Sequence, residues 1–191
     1  PGPKYLGRTV VPREPSRAAS TGYQSANLLV WELRTGGMPY SYEPHYFEDL
    51  SVGDEFESAG RTITETDFAM HSMFSGDWTE LHTNREYSDD GPFGERIAHG
   101  PMTFVVTTGL FQRTGIVERT VVAFLGMNYM DLENPVTIGD TLSATFEVTE
   151  KNALESREDA GLVVVDAHTT TQDGTEVFAG DMKFLFKRRE S

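Results

Sequence analysis

The chain has 191 residues, of which 38% are hydrophobic and 24% charged, and its formal net charge is −14; these values are typical of one globular core rather than several domains. The acidic charge disfavours nonspecific nucleic-acid binding, which needs a basic surface, and no apolar run approaches the roughly 20 residues of a membrane span. Because cysteine is absent, disulfides, thiolate nucleophiles and thiolate metal ligands are excluded.

Residues 1–40 are rich in Gly, Pro, Ser and Arg and show no sustained hydrophobic period, which predicts an extended N-terminal arm. An apolar stretch at residues 28–31 (Leu-Leu-Val-Trp) indicates that the arm packs against another surface, such as a partner subunit. The polar start of the chain lacks the apolar region of a secretory signal. We therefore expect a cytoplasmic protein in which residues 41–191 form a single domain.

Two helices are predicted next. Thr64, followed three residues later by Asp67, is a capping-box pattern, and Gly76 is placed to end the helix that follows. The predicted apolar face of this helix consists of Phe68, Met70, Met73 and Phe74. A second helix, mostly buried, is predicted from the helical spacing of Met102, Val105, Val106, Gly109 and Leu110.

From Val121 onward the hydrophobic period changes to two, which predicts β-strands. The alternation is clearest in segments 142–148, 163–167 and 178–186. Turn residues such as Gly139-Asp140 separate these segments. A further short strand is predicted near residues 54–57. This order of strands and helices predicts an α+β fold, in which about four long strands form a meander. The resulting antiparallel sheet is expected to curve around a central helix.

The segment 75–102 contains the residues best suited to catalysis. Asp77 and His82 lie in a loop after the first helix, and a carboxylate and an imidazole that face one water can share the proton transfers of a hydration. His99 and Gly100 begin the second helix, where unpaired N–H groups and the helix dipole stabilise an oxyanion. Spacing alone leaves another interpretation open, because an Asp and a His in such a loop are also typical of a helix cap and a surface hydrogen bond.

Several motifs, in order from about residue 46 to residue 187, resemble the MaoC-like family, which includes the (R)-specific enoyl-CoA hydratases. The hydratase motif of that family is matched by Gly76-Asp77, by Leu81-His82 and by residues 97–100, Ile-Ala-His-Gly. Residues 46–54 and the segment from Asn134 to Asp140 are similar to the parts of the family that precede and follow this motif. The resemblance implies a single hot-dog domain and a thioester substrate.

The resemblance also implies roles for individual residues. Asp77 and His82 would hold the water and exchange protons with it and with the substrate α-carbon, and the N–H of Gly100 would bind the thioester oxygen. The remaining substrate-binding candidates are Thr79, Ile97, Ala98 and His99, of which His99 is expected mainly to bond across the loop.

The chain departs from the family motif at Thr79 and Glu80, where Asn and Pro are usual. The usual Asn is thought to hold the water or to orient the Asp and His. A threonine hydroxyl can still donate and accept a hydrogen bond. We therefore expect a variant site rather than an inactive one.

The predicted function is reversible hydration of a 2-enoyl-CoA, including branched or dicarboxylic ones, to a 3-hydroxyacyl-CoA. A hot-dog acyl-CoA thioesterase and a noncatalytic acyl-thioester binding protein stay open as alternatives. Coenzyme A is expected only as part of the substrate. No catalytic metal is expected, because no two histidines have the i, i+4 spacing of a helical metal site and no HExxH motif occurs.

A small sheet on one helix leaves an exposed apolar face, so we expect a homodimer or a higher homo-oligomer, with no nucleic-acid or membrane partner. The phosphates of coenzyme A would need cations, for which Arg85, Arg96 and the run Lys187-Arg188-Arg189 are candidates, although solvated surface charges are the simpler interpretation. The other histidines are expected to be structural or to face solvent or an interface: His45, His71 and His168.

Overall fold

The computed structural model describes residues 43–189. Within them, seven strands form one antiparallel sheet: β1 (Glu55–Glu57), β2 (Arg61–Thr62), β3 (Val121–Gly126), β4 (Met130–Asp131), β5 (Thr141–Ala153), β6 (Ala160–Thr170) and β7 (Glu176–Lys187). The strand order is β1-β5-β6-β7-β3, with β2 paired to β5 and β4 paired to β7. The predicted arm, residues 1–40, lies outside the described residues.

The predicted meander holds for β5, β6 and β7, which pair consecutively. It is wrong for β3, which pairs with β7 at the end of the sheet opposite to β1. The segment 127–140 therefore carries the chain from one side of the sheet to the other. Alternation in a sequence shows which residues share a face, but it does not show which strands are neighbours.

The core lies on one face of this sheet. Leu142, Ala144, Phe146 and Val148 of β5 are at most 2% exposed, which confirms the predicted alternation. In β7 the alternation is incomplete, because Asp181 is buried beside Met182. The N–H groups of the turn after β3 donate to the Asp181 carboxylate, so this turn covers part of the second face of β7.

A 3-10 helix (Phe47–Asp49) and four α-helices complete the described part of the chain: α1 (Glu65–Ser75), α2 (Glu80–Thr83), α3 (Arg85–Asp89) and α4 (Gly100–Arg113). Helix α4 packs on β5 and β7. Its buried face comprises Met102, Thr103, Val106, Thr107, Leu110 and Phe111. Val105 is 55% exposed and Gly109 is exposed, so the prediction that these two residues are buried is wrong. None of these helices is long and apolar enough to cross a membrane.

Helix α1 begins and ends as predicted. The N–H of Thr64 donates to Asp67 in a capping box, and Gly76 ends the helix in the left-handed conformation, with φ of 77°. The predicted apolar face is wrong, since Phe68 is buried whereas Met70, Met73 and Phe74 are 64%, 71% and 95% exposed. The helix packs only through the narrow side that carries Phe68 and Ser72.

The segment before β5 holds the starts of both long helices. The N–H of Ala98, just before α4, donates to the Val136 carbonyl at 2.7 Å. The N–H of Ile63, just before α1, donates to the Asp140 carbonyl at 2.8 Å. These two hydrogen bonds hold the starts of α1 and α4 against segment 136–140. The loop that follows α1 is therefore held near the start of α4.

Candidate active site

Asp77 lies directly after the glycine that ends α1. Its Oδ1 accepts two hydrogen bonds from Thr79, one from the hydroxyl at 2.5 Å and one from the backbone N–H at 3.0 Å. The bond from the hydroxyl is the main cause that lowers the pKa of the Asp77 carboxyl. About half of the side chain, 47%, is exposed. Asp77 is therefore an ionised carboxylate that is held in place but open to a ligand.

His82 lies in the short helix α2 and bonds to the segment that leads into α4. Its Nδ1 is 2.7 Å from the carbonyl oxygen of Ile97. Because a carbonyl can only accept, Nδ1 carries a proton, and Nε2 is the nitrogen that presents a lone pair in the neutral ring. The sequence predicted that Ile97 belongs to the site, and its contribution in this structure is to orient the His82 ring.

His99 forms the N-cap of α4 and connects the two candidates. Its ring is 2% exposed and stacks on His82, with 3.8 Å between ring centroids. Its Nε2 donates to the backbone carbonyl of Asp77 at 3.0 Å. Burial lowers the pKa of His99, which favours the neutral ring. The bond from His99 to the Asp77 carbonyl is the predicted bond across the loop.

His71 also lies beside the candidate site, although the sequence did not predict it there. Its ring centroid lies 4.6 Å from that of His99. Burial lowers the pKa of His71, and the neighbouring His99 lowers it further. The one hint in the sequence was the position of His71 in the last turns of the helix that ends at Gly76, next to Asp77.

Gly100 begins α4, and its N–H is one of the amides that have no acceptor within the helix. A Cβ at this position would lie 2.7 Å from Cδ1 of Leu132, so any larger residue here would require the Leu132 side chain to move. A cavity of about 170 Å³ lies beside it, and among the residues that line it are Ile97, Ala98 and Thr103. The structure thus brings Ile97, Ala98 and Gly100 to one cavity, whereas His99, Asp77 and His82 are not among the residues that line it.

A metal ion is a chemical possibility that the sequence pattern did not indicate. Asp77, His82 and His99 each offer one ligand atom, and these atoms lie within 4.8 Å of one another. His99 fits the role poorly, because the Nε2 that faces Asp77 carries the hydrogen donated to a carbonyl. A metal would have to break that bond, so the expectation of no catalytic metal stays a prediction and no step is assigned to an ion.

The candidate phosphate-binding arginines all lie near carboxylates. Arg96 makes a two-pronged contact with Glu65, and Arg85 is 3.5 Å from Asp89. The other two ion pairs are Arg188 with Glu48 and Arg189 with Asp49. These pairs favour the simpler interpretation of surface charges.

His168 is 47% exposed and bonds to Glu176 at 2.7 Å, which agrees with a residue on an exposed strand face.

The family model described as MaoC like domain matches residues 49–172. Protein MaoC of Klebsiella aerogenes is 30% identical over 155 residues, which cover 80% of this chain and 44% of that protein. The chain therefore spans less than half of the length of that relative. An (R)-specific enoyl-CoA hydratase of Rhodospirillum rubrum is 33% identical over 137 residues, or 66% of this chain and 90% of that protein.

Solved structures support the same assignment. A monoamine oxidase regulatory protein from Archaeoglobus superposes with a TM-score of 0.71 at 29% identity, covering 79% of this chain and all of the other. A Mycobacterium tuberculosis protein described as having a double hot-dog fold superposes with a TM-score of 0.66 at 22% identity, covering 76% of this chain and 45% of the other. The expected hot-dog fold is thereby confirmed.

Proposed function

The chain belongs to the MaoC-like dehydratase family, and from this premise we propose that it catalyses the reversible addition of water to a 2-enoyl-CoA, giving a 3-hydroxyacyl-CoA. The observation that carries the proposal is the proximity of a carboxylate and an imidazole, since the ligand atoms that Asp77 and His82 offer lie within 4.8 Å of one another. The carboxylate of Asp77 is held by Thr79, and the ring of His82 is held by the bond from Nδ1 to Ile97. The relative named an (R)-specific enoyl-CoA hydratase supports this reaction class.

In the proposed hydration, one water is held between Asp77 and His82 and attacks carbon 3 of the enoyl group. The hydrogen bonds from Thr79 lower the pKa of the Asp77 carboxyl, which makes that carboxylate a weaker base. Nε2 of His82 therefore accepts the proton of the water, and the imidazolium that forms is stabilised by the Asp77 carboxylate. The proton is then delivered to carbon 2, so that hydroxide and proton have both been added.

Negative charge develops on the thioester oxygen when hydroxide adds to carbon 3. In the proposed mechanism, the N–H of Gly100, at the positive end of α4, donates to that oxygen. His99 connects both parts of the site, since it occupies the N-cap position of α4 and its ring donates to the backbone of Asp77. We assign His99 a positioning role, and we assign Ala98 a place in the wall of the substrate cavity.

The test is the loss of enoyl-thioester absorbance when purified protein is added to a panel of 2-enoyl-CoAs. We expect turnover by the wild type and none, beyond background, by Asp77→Asn or His82→Ala, both of which should stay folded by circular dichroism. His168→Ala is the matched control, because this half-exposed histidine bonds to Glu176. Normal activity in either site variant would refute the mechanism.

Two other outcomes would identify the alternative functions. Release of free thiol from saturated acyl-CoAs would indicate a hot-dog thioesterase. Saturable binding of enoyl-CoAs without turnover of any of them would indicate a noncatalytic acyl-thioester binding protein. The hydratase is preferred because Thr79, the residue that departs from the family motif, holds the Asp77 carboxylate.

We further propose a homodimer in the cytoplasm. Strand β3 ends the sheet, and three of its apolar side chains are exposed, namely Val122, Phe124 and Leu125 at 41%, 45% and 52%. An unpaired strand edge with apolar side chains favours association with a second chain. Light scattering at micromolar concentration is expected to give twice the mass of the chain, and a monomer would contradict the proposal.

A further inference from the structure

The cavity beside the start of α4 has a volume of about 170 Å³. Gly100 and Thr103 line it from the helix, and residues 132–136 line it from the segment before β5. If the thioester oxygen binds at the N–H of Gly100, the acyl chain enters this cavity first. We infer that it is the acyl site and that the preferred substrates carry short, uncharged 2-enoyl groups. This inference rests on the proposed function.

The size of the cavity limits the length of the acyl chain. At about 30 Å³ for each water-sized group, the volume accommodates roughly five or six such groups, which corresponds to an acyl group of about four or five carbons with its carbonyl oxygen. The innermost lining residues, Ala98, Thr103 and Val136, are at most 6% exposed. A longer chain would extend beyond this volume towards solvent, and the residues that line the cavity include the polar Glu133 and Asn134.

The charge of the lining residues excludes a distal carboxylate. Glu133 is the charged residue among those that line the cavity, and no lysine or arginine of the described segment joins it there. A carboxylate at the end of the acyl chain would lose hydration, would have no cation beside it, and would lie near the carboxylate of Glu133. Dicarboxylic enoyl groups, which the sequence left open, are therefore poor substrates.

Leu132 sets the boundary of the cavity next to the proposed oxyanion site. Its Cδ1 occupies the space directly over Gly100, at 2.7 Å from where a Cβ would be. The side chain is 37% exposed, so its replacement leaves the core intact. Shortening Leu132 to alanine removes three carbons, or on the order of 90 Å³ at the same volume per group.

A second cavity is the rival acyl site. It has a volume of about 490 Å³ and a mostly aromatic lining that includes Phe104, Phe111 and Phe124. Its residue Thr108 lies eight positions beyond Gly100, a distance of about 12 Å along a helix. Only a long acyl chain could place its thioester at Gly100 and still fill this cavity, so chain length separates the two sites.

The experiment measures kcat/KM for 2-enoyl-CoAs of increasing length, from crotonyl-CoA to twelve carbons, and for one that ends in a carboxylate. A methylene that does not fit a pocket costs about tenfold or more. We therefore expect the eight-carbon and carboxylate substrates to be at least tenfold poorer than crotonyl-CoA. Leu132→Ala should raise the ratio of the eight-carbon to the four-carbon value by tenfold or more, and Leu132→Phe should lower it.

Leu154→Ala is the matched control, because Leu154 follows β5 in the hairpin to β6, at the end opposite to Thr141 and Thr170. In Leu154→Ala, the ratio of the eight-carbon to the four-carbon kcat/KM should equal that of the wild type. A wild-type preference for long chains, a good carboxylate substrate, or an unchanged ratio in both Leu132 variants would overturn the inference while leaving the hydratase intact. Absence of turnover for every thioester would instead overturn the proposed function and this inference with it.

Discussion

Thr79 donates to Asp77 through both its hydroxyl and its backbone N–H, and the two bonds end on the same carboxylate oxygen. The family motif usually has Asn at this position. In this chain the shorter threonine side chain reaches Oδ1 from two residues away, since the backbone turns at Thr79 into α2. The substitution therefore keeps a donor on the carboxylate, and the pKa of Asp77 is lowered as a result.

Removal of the Thr79 hydroxyl should weaken catalysis without unfolding the chain. In Thr79→Val the backbone bond to Asp77 stays and the hydroxyl bond is lost, which costs about tenfold in kcat/KM, the usual value of one hydrogen bond to a charged group. Because that bond lowers the pKa of Asp77, its loss raises that pKa, and the titration of the Asp77 carboxyl, followed by NMR, shifts to higher pH. Thr79→Ser retains the donor and should behave as the wild type. An unshifted carboxyl titration in Thr79→Val would contradict this role.

The sequence predicted which candidate residues lie close together better than it predicted which surfaces are packed. Asp77, His82 and the start of α4 were grouped because the order of motifs is specific, and their catalytic roles stay a prediction. His71 was not, because a histidine in a helix gives no sign that another histidine will lie against its ring. The exposed Met73 and Phe74 were predicted to be buried, because helical periodicity identifies an apolar face without showing what covers it.

The fold, like the candidate site, was predicted only in part. Alternation in β5 identified the buried residues, as Phe146 and Val148 demonstrate. The position of β3 beside β7 could not be predicted from alternation, because strand pairing depends on contacts between distant parts of the chain. Burial of Asp181 was missed for the same reason, since its partners lie in the turn after β3.

Stability should fall as the pH is lowered through the range in which histidine titrates. Burial lowers the pKa of both His71 and His99 in the folded chain, so the unfolded chain takes up protons first. The stability from these neutral rings is complete above the unfolded pKa of about 6.5 and is lost as the pH falls below it. Thermal unfolding between pH 8 and pH 5 should show this decrease.

His71→Phe is the variant that tests this origin. The aromatic ring keeps the packing against His99 but cannot be protonated, so the melting temperature should depend less steeply on pH than in the wild type. Phe74→Leu, which changes an exposed and non-titrating side chain of the same helix, should retain the wild-type slope. Equal slopes for wild type and His71→Phe would show that the dependence arises elsewhere.

Removal of metal ions should leave activity unchanged. His99, which would have to be the third ligand beside Asp77 and His82, has its Nε2 hydrogen engaged with a carbonyl. We expect the same kcat/KM before and after dialysis against EDTA. Added Zn²⁺ should inhibit, because it would displace the water from Asp77 and His82, and EDTA should reverse the inhibition. Activity that disappears with EDTA and returns with a metal would show that the prediction of no catalytic metal is wrong.

The contact between Phe47 and Gly161 should be sensitive to a single methyl group. Gly161 lies near the start of β6, and a Cβ there would be 2.4 Å from two ring carbons of Phe47. The ring is 6% exposed, with Lys151 Nζ 4.6 Å from its centroid, so it has little room to move. Alanine is normally better than glycine in a strand, but in Gly161→Ala overpacking should lower the free energy of unfolding by about 1–3 kcal/mol.

The double variant separates this clash from a general effect of alanine. Replacing Phe47 by leucine in the Gly161→Ala chain makes room for the methyl group, so the two changes together should cost less than the sum of their separate effects. Urea unfolding of the four chains of the cycle measures the difference. Gly109→Ala is the control, because a Cβ there meets nothing within 4 Å and alanine should stabilise the helix by about 0.5–1 kcal/mol. Additive costs in the cycle would show that the Phe47 ring does not limit the space at Gly161.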